Sequence, residues 1–185
     1  MSNILEEIAE QRSLDVAAAQ QVVPAEQLAK KIKSTEDVYG SALHVLDRLN
    51  APVKEDWSNI ALAAEFKRAS PSKGDIATEL NLREQVRAYA ESGASMISVL
   101  TEPKWFKGSL DDMMAAREVV EGMSHRPAIL RKDFIVDVYQ LLEARAYGAD
   151  CVLLIVALLS QEQLIDLINV SFTGLLGLQW AEDGG

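Results

Sequence analysis

At 185 residues the chain is long enough for one domain with a sizeable core and too short for a second full domain. Apolar residues make up 49% and charged residues 25%, ordinary proportions for a globular protein, while 28 acids against 18 Lys and Arg give a formal net charge of -10. That balance argues against nucleic acid or anionic membrane as the main partner, since both reward a basic face; a local pair of lysines can still hold an anionic small substrate.

Residues 2–50 carry helical periodicity. Ile4, Leu5, Ile8 and Ala9 form one apolar stripe and Leu43, Val45, Leu46 and Leu49 another. The start is acidic, without a basic leader region or long apolar core, so no signal peptide is expected. Pro52 to Asn59 reads as a polar linker. A repeating pattern begins after it. Apolar runs fall at 60–66, 95–101, 128–133 and 151–158, and amphipathic segments lie around 82–92, 109–121, 137–147 and 160–170. Gly93-Ala94 and Gly148-Ala149 stand where a helix would cap before the next strand. Strand and helix alternating at this spacing predict four right-handed βαβ-type units on a parallel sheet.

The first run carries the chemistry. Ile60-Ala-Leu-Ala-Ala-Glu-Phe-Lys ends in Glu65 and Lys67 and then breaks into Ser70-Pro-Ser-Lys-Gly74. Positions 65 and 67 share one face of a strand. A buried strand that places a carboxylate beside an ammonium must pair them or use them. No G-x-G-x-x-G follows the first strand, which argues against a dinucleotide fold. Charged side chains at strand C-termini (Glu65, Lys67, Lys132) favour a (β/α) barrel, whose chemistry sits on that rim.

Cys151 is the one cysteine and lies in an apolar run, so it reads as packing, with no intramolecular disulfide or cysteine-rich metal site. His44 and His125 lack zinc-ligand spacing. The segment from Cys151 to Leu159 is too short to cross a bilayer. A cytoplasmic protein without metal, flavin or nicotinamide is expected.

Three segments together resemble indole-3-glycerol-phosphate synthase, the tryptophan-pathway carboxy-lyase. They are Ala64-Glu-Phe-Lys-Arg-Ala-Ser-Pro-Ser-Lys-Gly74, Ser98-Val-Leu-Thr-Glu-Pro-Lys-Trp-Phe-Lys-Gly-Ser109 and Leu130-Arg-Lys-Asp-Phe-Ile-Val136. Gly148-Ala-Asp-Cys-Val-Leu-Leu-Ile-Val156 and the leading segment from Ile4 to Val16 support them. The resemblance implies a (β/α)8 TIM barrel preceded by helices, here represented by a helical extension (1–59), about four β/α units (60–170) and a divergent tail (171–185). It implies an anionic anthranilate-ribulose phosphate substrate and no cofactor.

On that resemblance Lys132 is the general acid for ring closure, against a structural pairing with Asp133 or Glu65. Lys67 binds the substrate carboxylate or helps in proton transfer, and Glu65 orients both lysines; a rim salt bridge is the plain alternative. Ser70 either donates its hydroxyl to substrate or is simply a turn serine. Phe106 and Phe134, in loops after the second and third strands, would sandwich the anthranilate ring. Leu130 and Leu153 line the pocket or belong to the plain barrel core. The segment from Ser171 onward matches nothing in the family's second half, which carries a catalytic glutamate, an asparagine and the phosphate loops. Two expectations follow: no turnover from these residues alone, and self-association through open barrel edges. A non-catalytic half-barrel, or another phosphate-binding barrel such as phosphoribosylanthranilate isomerase, is the alternative reading. That isomerase relies on a cysteine and an aspartate, and Cys151 stands in the fourth run.

Overall fold

The computed structural model describes residues 4–51 and 60–176, so the proposed linker 52–59 and the last nine residues lie outside the description. Four strands run parallel in the order β1 (Ala63–Phe66), β4 (Met96–Leu100), β5 (Ala128–Lys132) and β6 (Cys151–Val152). Helices α4 (Leu82–Glu91), α5 (Leu110–Val120), α6 (Tyr139–Ala146) and α7 (Gln161–Val170) follow these strands in turn. The strand–helix alternation read from the sequence is therefore present, in the order expected of a partial (β/α) barrel.

Parallel register sorts the side chains into two faces. Glu65 lies opposite Ser98, Ser98 opposite Leu130, and Leu130 opposite Cys151, one row across the inner face. One step toward the C-terminal rim, Leu100 lies opposite Lys132. The other face carries Ala64, Phe66, Ile97, Val99, Ile129 and Val152, packed on Leu82, Val86, Met113, Ala116, Val120 and Ala144 of the helices. Lys132 and Leu130 thus share the inner face while Arg131 turns outward into the helix layer, as the period of two requires.

The helix boundaries have local causes. Asn81 caps α4 by accepting from the backbone of Arg83 and Glu84, and Ser109 caps α5 by accepting from Asp112. Ser160 and Gln163 form a reciprocal capping box at α7. Gly148 takes φ 83° after α6, and a Cβ there would meet the Arg117 side chain at 2.6 Å.

The N-terminal region forms three helices, α1 (Ile4–Val22), α2 (Ala25–Tyr39) and α3 (Val45–Asn50). The first two pack outside α6, joining Val16 and Leu28 to Tyr139 and Ala146. That explains why seven of the eight residues of α6 are buried: the helix is covered on both sides. Thr35 donates to Ala146 O at 2.9 Å, and Arg145 and Arg117 donate to the carbonyls of Gly40 and Tyr39 just past and at the end of α2. In α3, Val45 packs on Ala128 and Cys151 at the N-terminal end of the strands.

Two expectations are corrected, for the fourth strand and the N-terminal stripes, and the turn after the first strand is present with more structure than was read. The fourth strand covers only Cys151–Val152 rather than 151–158; Leu153 N still donates to Arg131 O, and a 3-10 turn at Val156–Leu158 then leads the chain away. The turn after the first strand contains a small antiparallel hairpin, β2 (Ala69–Ser70) with β3 (Gly74–Asp75). The predicted N-terminal stripes are only partly buried: Ile8 and Val45 are enclosed, whereas Ile4, Leu5 and Leu46 face solvent.

Gly108 approaches the end of β4 so closely that a Cβ would lie 2.0 Å from Leu100 O and 2.5 Å from Leu100 C. Neither backbone atom can yield without moving the strand. Gly108→Ala should therefore lower stability by roughly 1–3 kcal/mol or more, read as a fall in the urea midpoint at unchanged slope.

Candidate active site

The C-terminal ends of β1 and β5 bring Glu65, Lys67 and Lys132 together. Lys132 Nζ donates to Glu65 Oε2 at 2.8 Å, and Lys67 Nζ lies 3.1 Å from Glu65 Oε1. Ser98, opposite Glu65 in the register, points its hydroxyl at Oε2 from 3.4 Å. One carboxylate thus holds two ammonium groups, one on each oxygen. All three side chains are about one-third exposed, 33–34%, so they are anchored yet open to a ligand. Burial raises the Glu65 carboxyl, but the hydrogen bonds and charges of Lys132 and Lys67 outweigh it and hold the group below the ordinary glutamate range. Glu65 stays ionised at neutral pH. Each ammonium has three protons, so pairing with Glu65 leaves donors for a second anion.

Phe106 and Phe134 also come together, but not as two walls of a slot. Their centroids are 6.2 Å apart with planes tilted by 38°. A ring inserted between two others needs about 7–8 Å at ordinary contact distances, so the sandwich is corrected to one aromatic contact that offers a face or an edge. The Phe106 loop is held by Glu102, which is fully buried and accepts from the backbone of Lys104, Trp105 and Phe106 at 2.7–2.9 Å. Ser70 sits in the hairpin with its Oγ accepting from Lys73 N at 3.3 Å, the local role of a turn serine. Leu130 is half-buried on the inner face and packs with Val45, Ala128 and Cys151. Leu153 lies one residue past β6, half-buried. Cys151 is buried, as expected of packing, and its thiol is pushed up to about 12 by burial and by neighbouring Asp150.

Between Lys132 and Phe134 stands a residue to which no separate role was given. Asp133 is fully buried and accepts from Arg12 Nε and Nη2 at 3.0 Å each, Arg131 Nη2 at 2.9 Å, Thr101 Oγ1 at 2.7 Å and Phe134 N at 2.8 Å. Burial raises its carboxyl, and the charges of Arg131 and Arg12 with the Thr101 and Phe134 hydrogen bonds more than reverse this. Arg131 also meets Glu143 of α6 at 3.2 Å. Arg131, a charged residue on the outward face of a buried strand, was a readable sign that a buried anion existed. That Asp133 would also be clasped by Arg12 was not readable, since Arg12 lies 121 residues away. Among the described residues no group of three or more His, Cys, Asp and Glu is placed to hold a metal ion, and no helix is long and apolar enough to cross a membrane.

The indole-3-glycerol phosphate synthase family model matches residues 5–178. The chain belongs to this family. A tryptophan biosynthesis protein of Phytophthora nicotianae is 67% identical over 92% of this chain and 27% of its own length. A multifunctional tryptophan biosynthesis protein of Schizosaccharomyces pombe is 48% identical over 96% of this chain and 22% of its own. An indole-3-glycerol phosphate synthase of Bordetella pertussis is 39% identical over 90% of this chain and 60% of its own. The chain therefore spans about a quarter of the first two relatives and well over half of the third. The family is a lyase family of tryptophan biosynthesis with a TIM-barrel fold, and the four parallel strands described here fit part of that barrel.

The Asp133 cluster should dominate acid stability. A carboxyl held below its unfolded value contributes stability that is complete above the unfolded pKa of about 3.9 and is lost as pH falls through the lower folded value. Asp133→Asn leaves Arg12 and Arg131 without their shared anion, and breaking such a buried pair costs about 3–5 kcal/mol. Urea unfolding of both proteins across pH 2–7 should show that loss at neutral pH and a shrinking difference toward acid.

Proposed function

We propose that these residues supply the proton-donor side of an indole-3-glycerol-phosphate synthase site in a cytoplasmic protein. The substrate is 1-(2-carboxyphenylamino)-1-deoxyribulose 5-phosphate; the products are indole-3-glycerol phosphate, carbon dioxide and water. The observation that carries this is the Glu65 carboxylate held between two lysines on the rim, beside the Phe106–Phe134 contact.

Ring closure joins an aryl carbon to the substrate's ketone carbon, whose oxygen must gain a proton as the bond forms. Lys132 is the donor, because its pairing with Glu65 fixes its direction at the rim. The same group serves when that oxygen later leaves as water. Lys67 binds the carboxylate that departs as carbon dioxide. Glu65 touches both ammonium groups and positions them. The aromatic pair takes the anthranilate ring on one side, and Leu130 and Leu153 close the floor of the pocket. The Ser70 hydroxyl proton remains available for a substrate oxygen.

The helical extension 1–59 and the barrel units 60–170 act together in this reading, since Arg12 reaches the residue beside Lys132. β1 and β6 each have one strand neighbour in the described sheet, and a (β/α)8 barrel closes only with eight strands. Their edges are therefore proposed to join further strands, of the same or another chain.

A fluorescence assay for indole-3-glycerol phosphate decides the reading. The 185-residue polypeptide alone should give turnover at background. Joined to the remaining barrel segment of the Phytophthora relative, it should form product, and Lys132→Ala in that joined protein should lower kcat by about 10²-fold or more. Absence of product from the folded joined protein would overturn the function. Full turnover after Lys132→Ala would overturn the role of that lysine.

A further inference from the structure

A pocket of about 350 Å³ opens at the opposite end of the strands, lined by His44, Asp47, Arg48, Ser124, His125 and Arg126 among others. Arg126 precedes β5 by two residues and Lys132 ends it. Six residues at about 3.3 Å each put the two ends roughly 20 Å apart. The pocket is therefore separate from the Glu65–Lys67–Lys132 site.

Its two guanidinium groups are matched unequally. Arg126 is matched, with both terminal nitrogens on the buried Asp150 carboxylate at 2.7 and 2.9 Å. Arg48 is not. The residue is 8% exposed, its Nε donates to Arg126 O at 3.0 Å, and its Nη1 faces Ala51 O at 3.5 Å. Both acceptors are neutral carbonyls, and Nη2 is buried with no hydrogen-bond partner among the described residues. Burial pulls this guanidinium below its usual range, and no ion pair to it exists among the described residues. The nearby carboxylate, Asp47, is 81% exposed and lies 2.9 Å from His44 Nδ1 rather than on Arg48. His125 and Ser124 stand exposed at the mouth.

We propose that this pocket binds a small oxyanion, a phosphate or carboxylate group, anchored by Arg48 with His125 as a second donor. An oxyanion supplies what Arg48 lacks, a charged acceptor for a buried donor. Such charge-assisted hydrogen bonds are roughly twice as strong as neutral ones. The volume falls at the lower end of the range of about 300–1,000 Å³ for small-ligand sites, which suits one compact anion rather than a nucleotide. The site rests on the bottom of the sheet and does not depend on the catalytic reading above.

The chain's only two histidines both line this pocket, so their ring signals in NMR report on it alone. Titration of the 185-residue chain with sodium phosphate, against sodium chloride at matched ionic strength, should shift both histidine signals saturably in phosphate only. Arg48→Met should weaken that titration at least tenfold, whereas Lys132→Ala at the other end should leave it unchanged. His125→Asn, at an exposed position, should weaken it about threefold, read from His44; this variant decides the matter if Arg48→Met fails to fold. No saturable shift in the unaltered chain, or equal affinity in folded Arg48→Met or in His125→Asn, would overturn the proposal.

Discussion

A carboxylate with no access to water has to find its whole solvation inside the protein, and Asp133 does so by drawing four parts of the chain to one point. Arg12 comes from α1, Thr101 from the end of β4, Arg131 from β5 and the Phe134 amide from the loop beyond. Removing any one leaves charge or polarity buried without a partner, which costs far more than the contact itself contributes. That asymmetry fixes α1 against the barrel units. Glu143 extends the cluster into α6, the helix that α1 and α2 cover from outside. The layer order follows from this one satisfied carboxylate together with the apolar contacts around it.

Three consecutive residues show how strand alternation divides labour. Arg131 turns outward and binds the fold together, and Lys132 turns inward and faces the open rim. Asp133, just past the strand, locks the backbone between Lys132 and Phe134. The two inward chemical groups flank the most tightly held carboxylate of the described chain. Preorganisation here has two parts: Asp133 fixes the backbone beside Lys132, and Glu65 directs its partly exposed ammonium. Glu102 does the corresponding work after β4, since three amides on one buried carboxylate set the path of the loop that carries Phe106.

Much of this was legible in the residues themselves. Gly93 and Gly148 marked the ends of helices, apolar runs marked β1, β4 and β5, and the spacing of Glu65 and Lys67 placed them on one face. What local pattern could not supply depends on distance and on neighbours. Val152 ends its strand and a 3-10 turn follows at Val156–Leu158, although Leu153 to Leu158 are as apolar as any strand. Ser70 and Gly74 pair across a hairpin too short to carry a period. Phe106 and Phe134 stand on different loops, so their contact distance, and with it the loss of a slot between them, follows from how two strands end. The clasp of Arg12 on Asp133 joins residues that no window of sequence contains.

The two ends of the sheet present opposite electrostatic problems. At the C-terminal rim one carboxylate serves two ammonium groups, leaving an excess of positive charge exposed to solvent, where an anionic substrate can collect it. At the N-terminal end Asp150 is buried among the amides of Leu43 and Ile129 and the guanidinium of Arg126, so that cation is neutralised within the fold. Arg48 is held against the same wall by carbonyls alone among the described residues. A net charge of -10 gives no hint of either feature, because the acids that dominate the total are spread over exposed helix faces while the cations that matter are concentrated at two points. Local arrangement, not total charge, determines what such a surface attracts.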